Sequence, residues 1–117
     1  MSLSSWPMWL RYRVYAAMLA ILFAAAFISE AGQAAGPWHV QLHLLTFFVV
    51  ALVSCWAWPK LHLKWQLLMA VLVPVIHEVC EMFGHGHRLE YRDIAIDVAG
   101  GFIGIALAAF FKRKSAA

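Results

Sequence analysis

Histidines and carboxylates recur at helical spacing along this chain, and their types are those of metal ligands. His39 and His43 are four residues apart, as are His77 and Glu81. Side chains four residues apart lie on one face of an α-helix, so each pair could contribute two ligands to a divalent ion such as Zn²⁺. The metal-ligand candidates are His39, His43, His77, Glu81, His85 and His87.

Four carboxylates are candidates for catalysis. Glu78 and Glu81 are three residues apart, and Asp93 and Asp97 are four apart, so each pair also shares a helix face. Two carboxylates packed together can share a proton and act as general acid and base. Arg88 could hold the phosphate or carboxylate of a ligand through two hydrogen bonds. With a metal bound, such a site could activate water against a lipid-linked phosphate or acyl group.

The composition indicates that these residues lie in a membrane. Of 117 residues, 64% are hydrophobic and only 13% are charged, and the mean hydropathy is +0.76. A domain this small cannot bury so much apolar surface from water, so a bilayer must supply the rest of the apolar environment. A net charge of +3 without a nucleic-acid motif excludes a nucleic-acid-binding protein. The two cysteines, Cys55 and Cys80, are expected too far apart for a disulfide.

Four membrane-spanning helices are predicted from the apolar runs. A spanning helix needs about 20 residues, and the last two charge-free runs are shorter, so they must include acidic residues. The predicted helices lie near residues 13–29, 38–58, 64–83 and 92–111. The fold class is therefore all-α: a polytopic membrane protein whose residues 1–117 form a single four-helix transmembrane bundle.

The basic residues predict the orientation of this bundle. Only Arg88 and Arg92 fall on one predicted side. The other side has Arg11, Arg13, Lys60, Lys64, Lys112, Arg113 and Lys114. By the positive-inside rule, both termini and the second connection are cytoplasmic. The acidic residues, Glu30 included, lie toward the outer side.

Three polar residues are predicted at one depth below the outer surface. His43, Glu78 and Asp97 each lie about five residues inside a helix, which is about 8 Å of helix. On the last helix, Gly100 and Gly104 continue the stripe of the aspartates and would allow close helix packing. Ionisable groups within a span are costly and usually serve function. We therefore expect an outward-facing pocket built from His43, Glu78, Glu81, Arg88, Asp93 and Asp97.

The spacing of these polar residues is similar to that of a known family. The stretches concerned are His43 with Phe47, Glu78-Val-Cys-Glu81, Gly86-His-Arg88, Asp93-Ile-Ala-Ile-Asp97-Val-Ala-Gly100, and Gly104. They resemble the VanZ-like family of small bacterial membrane proteins over about two-thirds of the chain, Trp38 to Phe111. Glu81 stands where that family usually has Gln, Asp97 where it has Asn, and His87 separates the glycine from Arg88. These acidic residues also make the chain similar to the YjdF-like inner-membrane proteins.

The resemblance implies a multi-pass protein of the bacterial inner membrane that engages a lipid or lipid-linked cell-envelope molecule. It also implies a link to glycopeptide antibiotic resistance, because one member is associated with teicoplanin resistance. It supplies no reaction, so other functions stay open. One is a divalent-metal-dependent hydrolase or transferase acting on a lipid head group. Another is a structural protein with a buried polar network. Haem held by His43 and His77 is a further alternative, and the apolar faces would permit a homodimer.

Overall fold

A computed structural model describes residues 2–28, 36–86 and 88–116. The side chains of residues 115 and 116 are not described. The described residues form four α-helices and two short 3₁₀ helices, Leu3–Ser5 and Gly36–Trp38. The α-helices are α1 (Met8–Ala26), α2 (His39–Ala57), α3 (Leu63–His85) and α4 (Tyr91–Ala116). All four are long and apolar enough to cross a membrane. The prediction of an all-α fold is confirmed for this part of the chain, as is that of four helices long and apolar enough to span a membrane.

Several helix ends differ from the prediction, most of all the start of α1 and the end of α4, which continues to Ala116 rather than ending near Phe111. α1 begins at Met8 rather than near Arg13, because Pro7 occupies the N-cap position with the extended backbone that precedes a helix. Both Arg11 and Arg13 therefore belong to the helix. α3 runs without interruption through Pro74 and ends at Gly86, whose left-handed conformation (φ 71°) closes it. His85, predicted in the connection that follows, is thus the last residue of α3.

The closest helix contact joins α2 to α4 through two glycines. A Cβ atom on Gly104 would lie 2.6 Å from the Phe48 carbonyl oxygen, and one on Gly100 would collide with the Leu44 carbonyl. Only glycine permits this approach of the two backbones, as predicted for small residues in membrane bundles. Because Asp93 and Asp97 lie on the same stripe of α4, they face α2.

The bundle has an apolar exterior and a partly polar interior. Large apolar side chains are exposed along every α-helix, for example Ile21, Leu45, Leu72 and Ile103. A surface of this kind suits lipid better than water. By contrast, Glu78 and Asp97 are 0% exposed. Charged groups at such positions need partners, and these partners define the site.

Candidate functional site: a histidine–acid layer

Two histidine–aspartate pairs connect α2 to α4. His39 Nε2 lies 3.2 Å from Asp93 Oδ2, and His43 Nδ1 lies 2.8 Å from Asp97 Oδ1. The histidines are one turn apart on α2, and the aspartates are one turn apart on α4. The two pairs therefore stack along the helix interface that Gly100 and Gly104 bring together.

α3 adds a histidine and two glutamates to these pairs. Glu78 Oε1 accepts a hydrogen bond from the Glu90 backbone N–H at 3.0 Å, which ties α3 to the start of α4. Glu81 Oε1 lies 3.7 Å from His77 Nε2. One ligand atom each from Glu78, Glu81 and Asp93 lies within 4.8 Å of the other two. The histidine–acid layer consists of His39, His43, His77, Glu78, Glu81, Asp93 and Asp97.

The layer contains buried polar atoms that have no hydrogen-bond partner among the described residues. They are Glu78 Oε2, Asp97 Oδ2 and His77 Nδ1. An unsatisfied buried polar atom costs about 1–3 kcal/mol, and more when it is charged. Such atoms are stabilised when a water molecule, a cation or a polar ligand reaches them. These three atoms are therefore the positions of the layer at which a water molecule, a cation or a polar ligand would be stabilising.

A cavity of about 300 Å³ lies beside the layer, between α1, α2 and α3. Its polar lining residues are His39, His43, Thr46, His77, Glu81 and His85. Its apolar lining residues are Leu22, Ala25, Leu42 and Phe47. Most small-molecule sites have this combination of apolar surface and a few convergent polar groups. The mixed lining suits an amphipathic molecule.

The predicted site residues fall into four groups. All four carboxylate candidates, with His39, His43 and His77, come together in the layer. His85 lines the cavity together with His77 and Glu81, and its ring Nε2 is 3.1 Å from the Ile28 carbonyl oxygen. Arg88 is exposed in the connection between α3 and α4. His87, the sixth metal-ligand candidate, lies outside the described residues, as does Glu30.

A second polar cluster, at the other end of the bundle, was not predicted. Arg11 is buried, and its guanidinium donates hydrogen bonds to the carbonyls of Trp56 (2.9 Å), Trp6 (3.1 Å) and Ser4. Two residues before Trp56, the Ser54 Oγ donates a hydrogen bond to Gln66 Oε1 at 2.8 Å. Gln66 Nε2 donates in turn to the Trp58 carbonyl at 3.2 Å. The Arg11 cluster consists of Arg11, Ser54 and Gln66. Polar residues within apolar runs were the available signal for Ser54 and Gln66.

The free cysteines agree with the sequence prediction. Cys55 lies near the C-terminus of α2 and Cys80 near the C-terminus of α3, and neither forms a disulfide. The chain was also compared with family models, curated proteins and solved structures, and none of them matches it.

Proposed function

We propose that this chain is a VanZ-like protein of the bacterial inner membrane that binds the head group of a lipid or lipid-linked envelope molecule. The observation that carries the proposal is the cavity of about 300 Å³, whose lining combines histidines and Glu81 with apolar side chains. The histidines and Glu81 would bind the polar head group, while Leu22, Leu42 and Phe47 would contact the start of an apolar chain. An amphipathic molecule suits both kinds of lining side chain, whereas a fully polar solute suits only one.

The orientation predicted from the basic residues determines which leaflet of the membrane the cavity faces. With both termini in the cytoplasm, as the positive-inside rule favours, the histidine–acid layer lies toward the outer leaflet. At that depth the cavity is near the level of lipid head groups. Arg88 follows α3 directly and is exposed, so it is the proposed anchor for an anionic group of the bound molecule. A role in glycopeptide resistance would follow if that molecule were a cell-wall precursor.

Filling the cavity tests the proposal. Ala25 lines the cavity, whereas its neighbour Ala24 is exposed on the outside of α1. Native mass spectrometry of gently purified protein should find about one amphipathic molecule per chain in the wild type and in Ala24→Phe. Ala25→Phe should lower this occupancy by about tenfold, since a phenyl ring takes up the space of the ligand. Equal occupancy in all three proteins, or none in the wild type, contradicts the proposal.

The anchoring role of Arg88 has its own matched control. Arg88→Ala should weaken retention of an anionic lipid by about tenfold or more, because a charge-assisted bidentate contact is lost. Arg92→Ala removes an equally exposed arginine at the start of α4 and should leave retention unchanged. Equal losses in the two variants would assign the effect to net charge rather than to a specific anchor.

Catalysis on the bound head group is the second proposal, and one observation favours it. The ligand atoms of Glu78, Glu81 and Asp93 lie within 4.8 Å of one another, a distance that one bridging water molecule can span for proton transfer. A hydrolase or transferase predicts that Glu78→Gln and Asp97→Asn abolish turnover of a lipid-linked phosphate or acyl substrate, while the helical content stays unchanged. Binding without turnover in the wild type would exclude this second function and leave the first.

A further inference from the structure

We infer that His39, His43 and Asp93 form a binding site for one divalent transition-metal ion, with zinc as the expected occupant. One ligand atom from each lies within 4.8 Å of the other two. His39 and His43 also line the cavity, so the inference rests on the proposed function in one respect: the ion would lie at the wall that meets the head group. The metal itself can be measured without any lipid.

One spacing within the triad matches that of two ligands on a single ion, and the other two are no longer than 4.8 Å. Two ligands of a tetrahedral zinc ion, each at about 2.05 Å from the metal, lie about 3.3 Å from each other. His39 Nε2 and Asp93 Oδ2 are 3.2 Å apart. Two histidines and one carboxylate are a ligand set of catalytic zinc sites, which keep a fourth position for water or substrate. That position would serve an oxygen atom of a molecule in the cavity.

Asp97 orients one of these ligands. His43 Nδ1 lies 2.8 Å from Asp97 Oδ1, and since a carboxylate accepts hydrogen bonds, Nδ1 is the donor. In the neutral imidazole this leaves the lone pair on Nε2, the nitrogen that a metal would bind. A histidine held between a carboxylate and a metal is a recurrent arrangement that fixes the ring and raises its basicity. Asp97 is 0% exposed and would act as a positioning residue.

The charge of the layer supplies an independent reason for a cation. Asp93, Asp97 and Glu81 have histidines as their described ion-pair partners. Glu78 is fully buried, and its Oε2 has no hydrogen-bond partner among the described residues. Its carboxylate lies within 4.8 Å of Asp93, which belongs to the metal-ligand triad. Because buried carboxylates repel one another in a low-dielectric interior, a divalent ion bound to Asp93 would stabilise the whole group.

The experiment measures metal directly in the full-length protein. Protein purified in detergent without chelator should contain about one zinc per chain by elemental analysis. His39→Ala should retain less than about a tenth of that amount, because two remaining ligands bind zinc weakly. His62→Ala is the matched control, since His62 is an exposed histidine at the start of α3. No stoichiometric zinc in the wild type after equilibration with zinc salt, or equal zinc in His39→Ala, overturns the inference.

Replacement of a ligand by cysteine gives a second readout that does not depend on metal loss. Cysteine thiolate is itself a zinc ligand, so His39→Cys should keep the metal. Loaded with Co²⁺, this variant should show a thiolate-to-cobalt charge-transfer band that the wild type and His62→Cys lack. The side chain of His39 is 39% exposed, so the substitution leaves the packed interior in place. A folded His39→Cys protein without that band overturns the ligand assignment.

The positioning role of Asp97 is measured in the same system. Asp97→Asn should weaken zinc binding by about 10–100-fold, as the loss of an orienting carboxylate does elsewhere, and should alter the visible Co²⁺ spectrum. An unchanged affinity and spectrum would remove Asp97 from the site. Wild-type protein that carries zinc but no lipid would refute the proposed function and leave the metal site standing. Protein that carries lipid but no zinc would refute the metal site and leave the proposed function standing.

Discussion

The bundle has a polar cluster near each end, and the two differ in how completely their hydrogen bonds are made. In the Arg11 cluster the guanidinium reaches three carbonyls, and Gln66 uses both ends of its amide. In the histidine–acid layer, three buried atoms have no partner among the described residues. One neutral donor near the first cluster, Trp58 Nε1, also lacks a described partner. Two of the three atoms in the layer belong to carboxylates, for which this is far more costly.

The difference in hydrogen bonding indicates a structural role for the Arg11 cluster and a binding role for the histidine–acid layer. A satisfied polar network holds helices in register and needs nothing further. An unsatisfied one lowers stability unless something else binds, and proteins retain such strain mainly at functional sites. We therefore expect substitutions in the Arg11 cluster to affect stability alone. Substitutions in the histidine–acid layer should affect ligand or metal binding more than stability.

The largest expected effect is that of Arg11→Leu. The change removes three hydrogen bonds from a charged donor and leaves their carbonyl acceptors without it, so we expect about 3 kcal/mol of destabilisation. Arg13→Leu is the matched control, because Arg13 is exposed on the same helix and contacts only the Trp9 ring among its described partners. It should cost less than about 1 kcal/mol. Thermal unfolding followed by tryptophan fluorescence measures both, and equal losses would remove the structural role of Arg11.

Gln66→Leu should have the next largest effect, about 2 kcal/mol of destabilisation. The Ser54 hydroxyl loses its acceptor and the Trp58 carbonyl loses a donor, while both stay inside the bundle. Adding Ser54→Ala should recover part of this loss, because replacing both partners of a buried hydrogen bond by apolar groups is nearly neutral. Bound metal and lipid should not change in either protein. A loss of ligand here would show that the two clusters are coupled.

Apolar replacement in the histidine–acid layer should raise the free energy of unfolding, whereas the two changes above lower it. Replacing a buried ion pair by apolar residues of similar volume is often stabilising. We therefore expect the double variant His43→Leu/Asp97→Leu to be about 1 kcal/mol more stable than wild-type protein from which metal and lipid have been removed. The untreated variant should lack the bound metal and amphipathic molecule. Thermal unfolding of the ligand-free proteins gives the first result, and elemental analysis with native mass spectrometry of untreated samples gives the second. Strong destabilisation would instead assign the layer to the structural network that the sequence left open.

Five of the seven layer residues belong to the pocket predicted from the sequence, whose sixth member, Arg88, lies outside the layer. His39 and His77 were predicted only as metal ligands, and the sequence did not predict how the residues pair. Helical spacing placed His39 with His43 and Asp93 with Asp97, and Gly100 and Gly104 indicated the face of close packing. Which histidine meets which aspartate depends on the axial offset between α2 and α4, and that offset is set by the backbone contacts of Gly100 with Leu44 and of Gly104 with Phe48. Spacing within one helix carries no information about this offset.

Arg11 shows a different limit of sequence reasoning. Arginines near the end of a membrane helix usually extend to the interface, so the position of Arg11 in the sequence indicates only the orientation of the helix. Its burial depends on the carbonyls of Ser4 and Trp6 turning back over α1, and on that of Trp56 arriving from α2. Two of these acceptors precede the predicted helix and the third is distant in sequence. Only Pro7, a strong start signal, indicated that the helix begins early enough to include Arg11.

The smallest expected effect on stability is that of Glu81→Gln, a change within the histidine–acid layer that separates stability from ligand binding. Glu81 is only partly buried and faces His77 across 3.7 Å on the same helix, so the pair should contribute less than about 0.5 kcal/mol. Yet Glu81 lines the cavity and its carboxylate lies near Asp93. We therefore expect unchanged thermal unfolding but measurably lower lipid retention in native mass spectrometry. Cys80→Ser, one position earlier on α3 and outside the described cavity wall, is the control. If Glu81→Gln instead unfolds at a much lower temperature and retains its lipid, Glu81 belongs with Arg11 as a structural residue.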